Sequence, residues 1–314
     1  MEEWIDSNLP DKSITLPDLL EGFERHAASQ VIEAFGETVA ACAWSKNWKL
    51  RVAAAGTIEN NLSEIKTDVP LIFRAHCMLG ERLFSDKNPS VVFKMITLSK
   101  KIVSHAAMEK NSINVDLITG GLSRIFPVLL QRTGDNNKIV RDKITTYIVD
   151  LGKTMPGPSF VFKTVLEYEK TVKSIKSICG VSILMKILIE TYDLKQNYGI
   201  SATTVMKMVV ADLKHPNPDV RTCAIELGTI VHALQGTSVE HHLIGVKLST
   251  LDMLKQSILK HKIANGKTAK QFEWVDKKLK TYIQKEKKRI SGTGTNISVV
   301  PKKKFLTRKD KIKR

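Results

Sequence analysis

The feature of this sequence that most restricts its fold is a recurrence. Windows with apolar residues at i, i+3, i+4 and i+7 follow one another along most of the chain, and strand-like alternation is nearly absent. Short polar turns interrupt the helical pattern at SKNW (45–48), SDKNPS (85–90), TGDNNK (133–138), EKTVK (169–173) and KHPNPD (214–219). Their starts are about 40, 48, 36 and 45 residues apart, which is room for one helix, a turn and a second helix returning on the first. A single hairpin of amphipathic helices cannot bury its apolar face alone, so its copies must stack. The expected fold class is all-α: an α-solenoid of about six helical hairpins, followed by a basic C-terminal tail.

After three of the turns the second helix opens in the same way, as Trp48-Lys49-Leu50-Arg51, Lys138-Ile139-Val140-Arg141 and Pro218-Asp219-Val220-Arg221. An aliphatic residue followed by Arg one turn into the second helix is the pattern of HEAT repeats. Each Arg is expected to reach an acidic or carbonyl partner in the neighbouring turn and hold successive repeats in register. Pro89 and Pro218 suit first-turn positions, where a missing N–H costs nothing. Pro127, inside RIFPVLLQ, is expected to kink its helix. A sixth unit, from about Ser238 to Ile290, is longer and more basic, as befits a terminal repeat with one face toward solvent.

The formal charge of +17 is placed unevenly. From Lys260 onward there are 19 basic and 4 acidic residues, leaving only +2 for residues 1–259. Residues 1–26 read as an extension or capping helix and 27–290 as the repeat domain. Residues 291–314 read as a disordered basic tail that would seek an acidic partner. No apolar run approaches the roughly 20 residues needed to cross a bilayer. The first thirty residues lack a basic segment followed by an apolar core. A soluble, non-secreted, monomeric chain without a membrane role is expected. Cys42, Cys77, Cys179 and Cys223 lie far apart, none in a Cys-x-x-Cys, and are expected to be reduced and buried.

No catalytic constellation stands out, and the chain is not expected to be an enzyme. His241 and His242 are adjacent, should point in different directions on a helix, and have no further ligand at metal spacing. GTGTN (292–296) lacks the Gly-Lys-Ser/Thr of a phosphate loop. Ser123, Ser177 and Cys179 have no evident His partner. No metal site is expected.

What remains is a surface. Stacked hairpins align their turns along one edge, which would carry Lys46, Trp48, Lys49, Lys87, Lys138, Lys170, Lys173, Lys214 and His215. Asp86, Asp135, Glu169 and Asp219 lie in the same turns and could leave those lysines as ordinary solvated charges. Trp48, directly after the helix ending at Trp44, is the exception, because Trp is costly to expose and is the commonest interface anchor.

At these residues the chain resembles the TOG family. SKNWKLRVAAAGTIENNL is similar to the opening of TOG domains, with a Trp in the first turn followed by a basic residue, an aliphatic and Arg. FPVLLQRTGDNNKIVRDKI resembles their third repeat, and LKHPNPDVRTCAIELGTIV their fifth. The second and fourth turns match poorly, and His215 stands where HEAT repeats often have Asp. The Ser-Lys-x-Trp turn after the helix containing Phe35 to Glu37 is most similar to the centrosomal, ciliary-tip branch of the family. The resemblance implies binding of αβ-tubulin or microtubules through the turn edge, the first three turns on β-tubulin and the last two on α-tubulin. Trp48 would be the apolar anchor, flanked by Lys46 and Lys49, with Asn88, Lys138, Lys173 and Lys214 as polar contacts. It implies no cofactor in this chain, and a cytoplasmic, cytoskeletal location at the centrosome, basal body or cilium. Two other readings compete: a HEAT-type nucleic-acid binder or base-excision enzyme, disfavoured by the nearly neutral body, and a general scaffold for another acidic protein.

Overall fold

The structure is a computed structural model that describes residues 13–108, 115–154 and 157–264, all within one compact unit. The assignments beyond Ala264, including about half of the sixth unit and the tail at 291–314, lie outside the described residues, as do residues 1–12 of the extension. Gly22–Ala27 (α1) and Ser29–Phe35 (α2) precede five helical hairpins. The first three pair Glu37–Trp44 (α3) with Trp48–Asn61 (α4), Val69–Leu83 (α5) with Pro89–Met108 (α6), and Val115–Arg132 (α7) with Lys138–Lys153 (α8). The last two pair Pro158–Glu169 (α9) with Ile175–Tyr192 (α10), and Ala202–Leu213 (α11) with Pro218–Gln235 (α12). A 3₁₀ stretch, Gly236–Leu243, then leads to Leu248–Ala264 (α13). Among the described residues there is no strand, and no helix is long and apolar enough to cross a membrane.

Two layers result. The second helices α4, α6, α8, α10 and α12 pack each on the next, while α2, α5, α7 and α9 stack as the other layer. Between them lies a continuous apolar core with Phe35, Phe73, Phe84, Phe126 and Phe162 essentially free of solvent. Aromatic contacts carry this core across repeats: Phe84 at the end of α5 stacks on Tyr147 of α8, centroids 5.8 Å apart.

The segment Phe35 to Glu37, expected as one helix from its sequence, is broken at Gly36 into α2 and α3, with φ 88°. Only glycine adopts that conformation without strain. Pro127 sits inside the continuous helix α7.

One buried polar chain runs through the core. His76 Nε2 lies 2.6 Å from Ser99 Oγ, and Ser99 in turn bonds the Tyr147 hydroxyl, joining α5, α6 and α8. Burial holds the His76 imidazole down to about 3, so it is neutral in the fold. In the unfolded chain it protonates near its ordinary value of about 6.5. The unfolded state therefore binds more protons between these values, and the native state loses stability as pH falls through that window. The slope reaches at most about 1.4 kcal/mol per pH unit. Chemical denaturation from pH 7 to pH 4 should show this loss, and His76→Gln should flatten it even if the variant starts less stable. An unaltered pH profile would exclude His76 as its source.

Candidate functional site: the turn edge

Four of the five turns are built by one local device. Asn47, Asn137 and Asn217 are N-caps of α4, α8 and α12, and Asn88 occupies the same place before α6. Each Asn Oδ1 accepts from the backbone N–H two residues on: Lys49 at 3.0 Å, Ser90 at 2.9 Å, Ile139 at 2.9 Å and Asp219 at 2.7 Å. The residue two before each Asn then accepts from the Asn N–H, through Ser45 Oγ, Asp86 Oδ1, Asp135 Oδ1 and His215 Nδ1. His215 thus fills the place of the repeat Asp with its imidazole nitrogen. The fourth turn departs, since Ser174 makes no side-chain cap for α10.

The arginines behave differently from the sequence expectation. Arg141 Nη1 donates to the carbonyls of Asp135 and Asn136, and Arg221 Nη1 to those of His215 and Pro216. Both close their own turn rather than reach a neighbour, because one turn into the helix the guanidinium points back over the preceding loop. Arg51 alone does both. Its Nη1 binds the carbonyls of Ser45 and Lys46, while Nε and Nη2 grip Asp86 of the second turn at 2.5 and 3.1 Å. At the corresponding place α6 carries Val92, so Asp86 takes the arginine of the first repeat.

The first turn receives a second guanidinium. Arg82 of α5 donates to the carbonyls of Ala43 and Trp44 and lies 5.0 Å over the Trp44 ring. Four successive carbonyls, 43 to 46, are thereby held by two arginines. On this clamped loop Trp48 opens α4 and is 39% exposed.

The third and fourth turns are locked by close packing. A Cβ on Gly134 would lie 2.6 Å from the Lys176 carbonyl carbon, and one on Gly180 would lie 2.5 Å from that of Thr133. Lys176 Nζ bonds Asn136 Oδ1 across the same junction.

Lys46, Lys138, Lys173 and Lys214 are exposed along the turns, and Lys49 and Asn88 are half-buried. Asn88 serves as a cap, and the Lys214 ammonium leans toward Gly245, 3.7 Å from where a Cβ there would sit. Of the four acids in these turns, two are engaged by arginines rather than by the lysines, and Asp219 stays exposed. Asp86, its side chain 7% exposed, is taken by Arg51, and Asp135, at 17%, by Arg132 at 2.9 Å. Burial, with Asp212 nearby, raises the Glu169 carboxyl. Two apolar residues not expected on this edge, Ile139 and Ile175, are 59% and 41% exposed. Their signal was position, since each stands in the first turn of a second helix, as Trp48 does.

Two further expectations need correction. His241 and His242 lie in the 3₁₀ stretch rather than on an α-helix, and their rings face each other with centroids 3.9 Å apart. Cys42 and Cys77 are buried, but Cys179 and Cys223 are only partly so. Among the described residues no three His, Cys, Asp or Glu are placed to hold a metal ion.

A stack of HEAT-type hairpins presenting a Trp-led turn edge defines the class: a TOG domain. The family described as "Centrosomal protein CEP104, TOG domain" matches residues 25–227, and the chain belongs to it. It is 26% identical over 208 residues to Centrosomal protein of 104 kDa from Rattus norvegicus, covering 64% of this chain and 22% of that protein. The chain thus spans about a fifth of the length of the curated relatives it matches. The solved TOG domain of human Cep104 superposes with TM-score 0.65 at 22% identity, over 79% of this chain and 97% of that one. A TOG structure described for tubulin-binding specificity that promotes microtubule dynamics and mitotic spindle formation gives TM-score 0.63 at 17% identity, over 82% and 95%.

Proposed function

We propose that this chain is a tubulin-binding module that acts on microtubules of the centrosome or cilium through its turn edge. The observation that carries the reading is the clamped first turn. Two arginines hold the loop that leads, through the Asn47 cap, to a Trp 39% exposed at the start of α4. Trp48 is the anchor, with Ile139 and Ile175 as smaller apolar contacts. Lys46, Lys49, Lys138, Lys173 and Lys214 supply charge toward an acidic partner, and Asn88 a polar contact in the second turn. The membership in a centrosomal TOG family and the tubulin-related description of a structural neighbour agree with this reading.

Pull-down from lysate at moderate salt, probed for tubulin and for nucleic acid, separates this reading from its rivals. Tubulin without nucleic acid is expected; nucleic acid without tubulin would overturn it. Charge reversal at Lys138, Lys173 and Lys214 together should slow association on the order of tenfold at low salt, because exposed charges act mainly on the on-rate. It should also flatten the salt dependence. Stopped-flow mixing with tubulin reads both, and an unmodified chain whose association ignores salt would remove the steering role.

A further inference from the structure

The sixth unit expected from the sequence begins in an altered form. In place of a first helix it has the 3₁₀ stretch Gly236–Leu243, which packs on α11 and α12, and its second helix is α13, which packs on α12. The layer of second helices therefore runs on through α13, and residues 244–247 make a sixth turn between the two arms. This turn adjoins the fifth: a Cβ on Gly245 would lie 3.7 Å from Lys214 Nζ.

The start of α13 repeats the register of the start of α4. The Asn47 carbonyl accepts from the N–H groups of Leu50 and Arg51, and the Lys247 carbonyl accepts from those of Thr250 and Leu251. Leu248 thus stands where Trp48 stands, first in its helix, and is 38% exposed. The turn is held by other means, because Leu251 occupies the place of Arg51. Val246 is buried, its N–H donates to the Leu243 carbonyl, and Gly245 takes φ 82°. Ile244, two residues before Val246, is left 64% exposed. Exposed apolar residues scattered singly are ordinary. These two share one short loop, at the end of an edge whose other second helices carry Trp48, Ile139 and Ile175 in their first turns. Lys214 and Lys247 are exposed beside them, and Asp252 is exposed one helical turn further on.

We infer, on the reading of the edge as a tubulin site, that Ile244 and Leu248 form a sixth, apolar contact of that edge, made with the same tubulin dimer that Trp48 engages. The surface it fits is an apolar patch bordered by acidic side chains, since Lys214 and Lys247 accompany the two aliphatic residues. Five steps of the second-helix layer separate Trp48 from Leu248, about 45 Å along the layer at the usual 8–10 Å between packed helices. Two apolar anchors at that distance meet separate patches and fix the orientation of a partner that one anchor would leave free to pivot. Contacts so far apart contribute independently.

Titration of labelled tubulin into the full chain and its variants tests this. Ile244→Ser should weaken binding about tenfold and Leu248→Ala by a smaller factor. The melting temperature of Ile244→Ser should stay unchanged, because most of that side chain is in solvent. Combined with Trp48→Ala, the fold losses should multiply. On the unsubstituted chain, amide exchange at residues 243–249 should slow when tubulin is added, a readout that needs no variant. Loss of affinity in Trp48→Ala alone, with exchange at 243–249 unaltered, would overturn the sixth contact and leave the edge reading standing. Losses at Ile244 and Leu248 with none at Trp48 would keep the sixth contact and overturn the first. A chain that binds no tubulin would overturn both. Sedimentation of the free chain as a dimer that Ile244→Ser dissolves would give the patch to a second copy and overturn the contact with tubulin.

Discussion

Replacing Trp48 by Ala is expected to weaken tubulin binding by about 2 kcal/mol or more, some thirtyfold in Kd, while leaving the melting temperature nearly unchanged. The two halves of this expectation come from different contacts. Trp48 is 39% exposed at the first position of α4, so a broad part of the indole is open to a partner while the rest lies against the fold. The loop before it is held by Arg51 and Arg82 through backbone carbonyls, none of which needs the indole. Truncation therefore removes the anchor without releasing the turn. Titration of labelled tubulin into the variant, beside a thermal melt, reads both. A melting temperature that drops by many degrees would make Trp48 a core residue, and undiminished affinity would remove it from the interface.

The second large effect should fall on stability. Gly180→Ala places a methyl group 2.5 Å from the Thr133 carbonyl carbon and oxygen, with Thr133 Oγ1 at 2.6 Å. Two of these atoms are backbone, so α10 must move away from the third turn. Overpacking of this kind costs about 3 kcal/mol. Gly134 is constrained from the other side by the backbone of Lys176 and Ser177, which makes the junction mutual. Urea denaturation should show a lower midpoint with an unchanged m-value, and the Lys176–Asn136 bond should be lost with it. A Gly180→Ala chain as stable as the original would mean that the third and fourth repeats slide freely.

The hairpins and their turns were legible in the sequence because helical periodicity and Asn- or Pro-led starts are local signals. Pro89 and Pro218 open α6 and α12 where the pattern placed them, and Trp48 opens α4. What escaped was set by contacts between repeats. That Arg51 crosses to Asp86 while Arg141 and Arg221 stay at home depends on Val92, forty-one residues from Arg51, leaving Asp86 without an arginine of its own. The outward lysines were visible, but that Asp86 and Asp135 turn inward to arginines was not. Gly36 was misread because a lone glycine within apolar periodicity has no local mark distinguishing a tolerated residue from a break.

The clamp on the first turn also sets the smallest piece of this chain that can keep the Trp48 loop in shape. Carbonyls 45 and 46 are held from within the first hairpin, but 43 and 44 are held by Arg82, and Arg51 is itself held in place by Asp86. Arg82 and Asp86 both belong to the second hairpin. A fragment ending before α5 would keep every residue of the Trp48 loop and lose its shape. If the Trp48 loop is the recognition element proposed above, recognition belongs to a pair of neighbouring repeats, and an exchange of one hairpin between related domains would have to carry its neighbour with it.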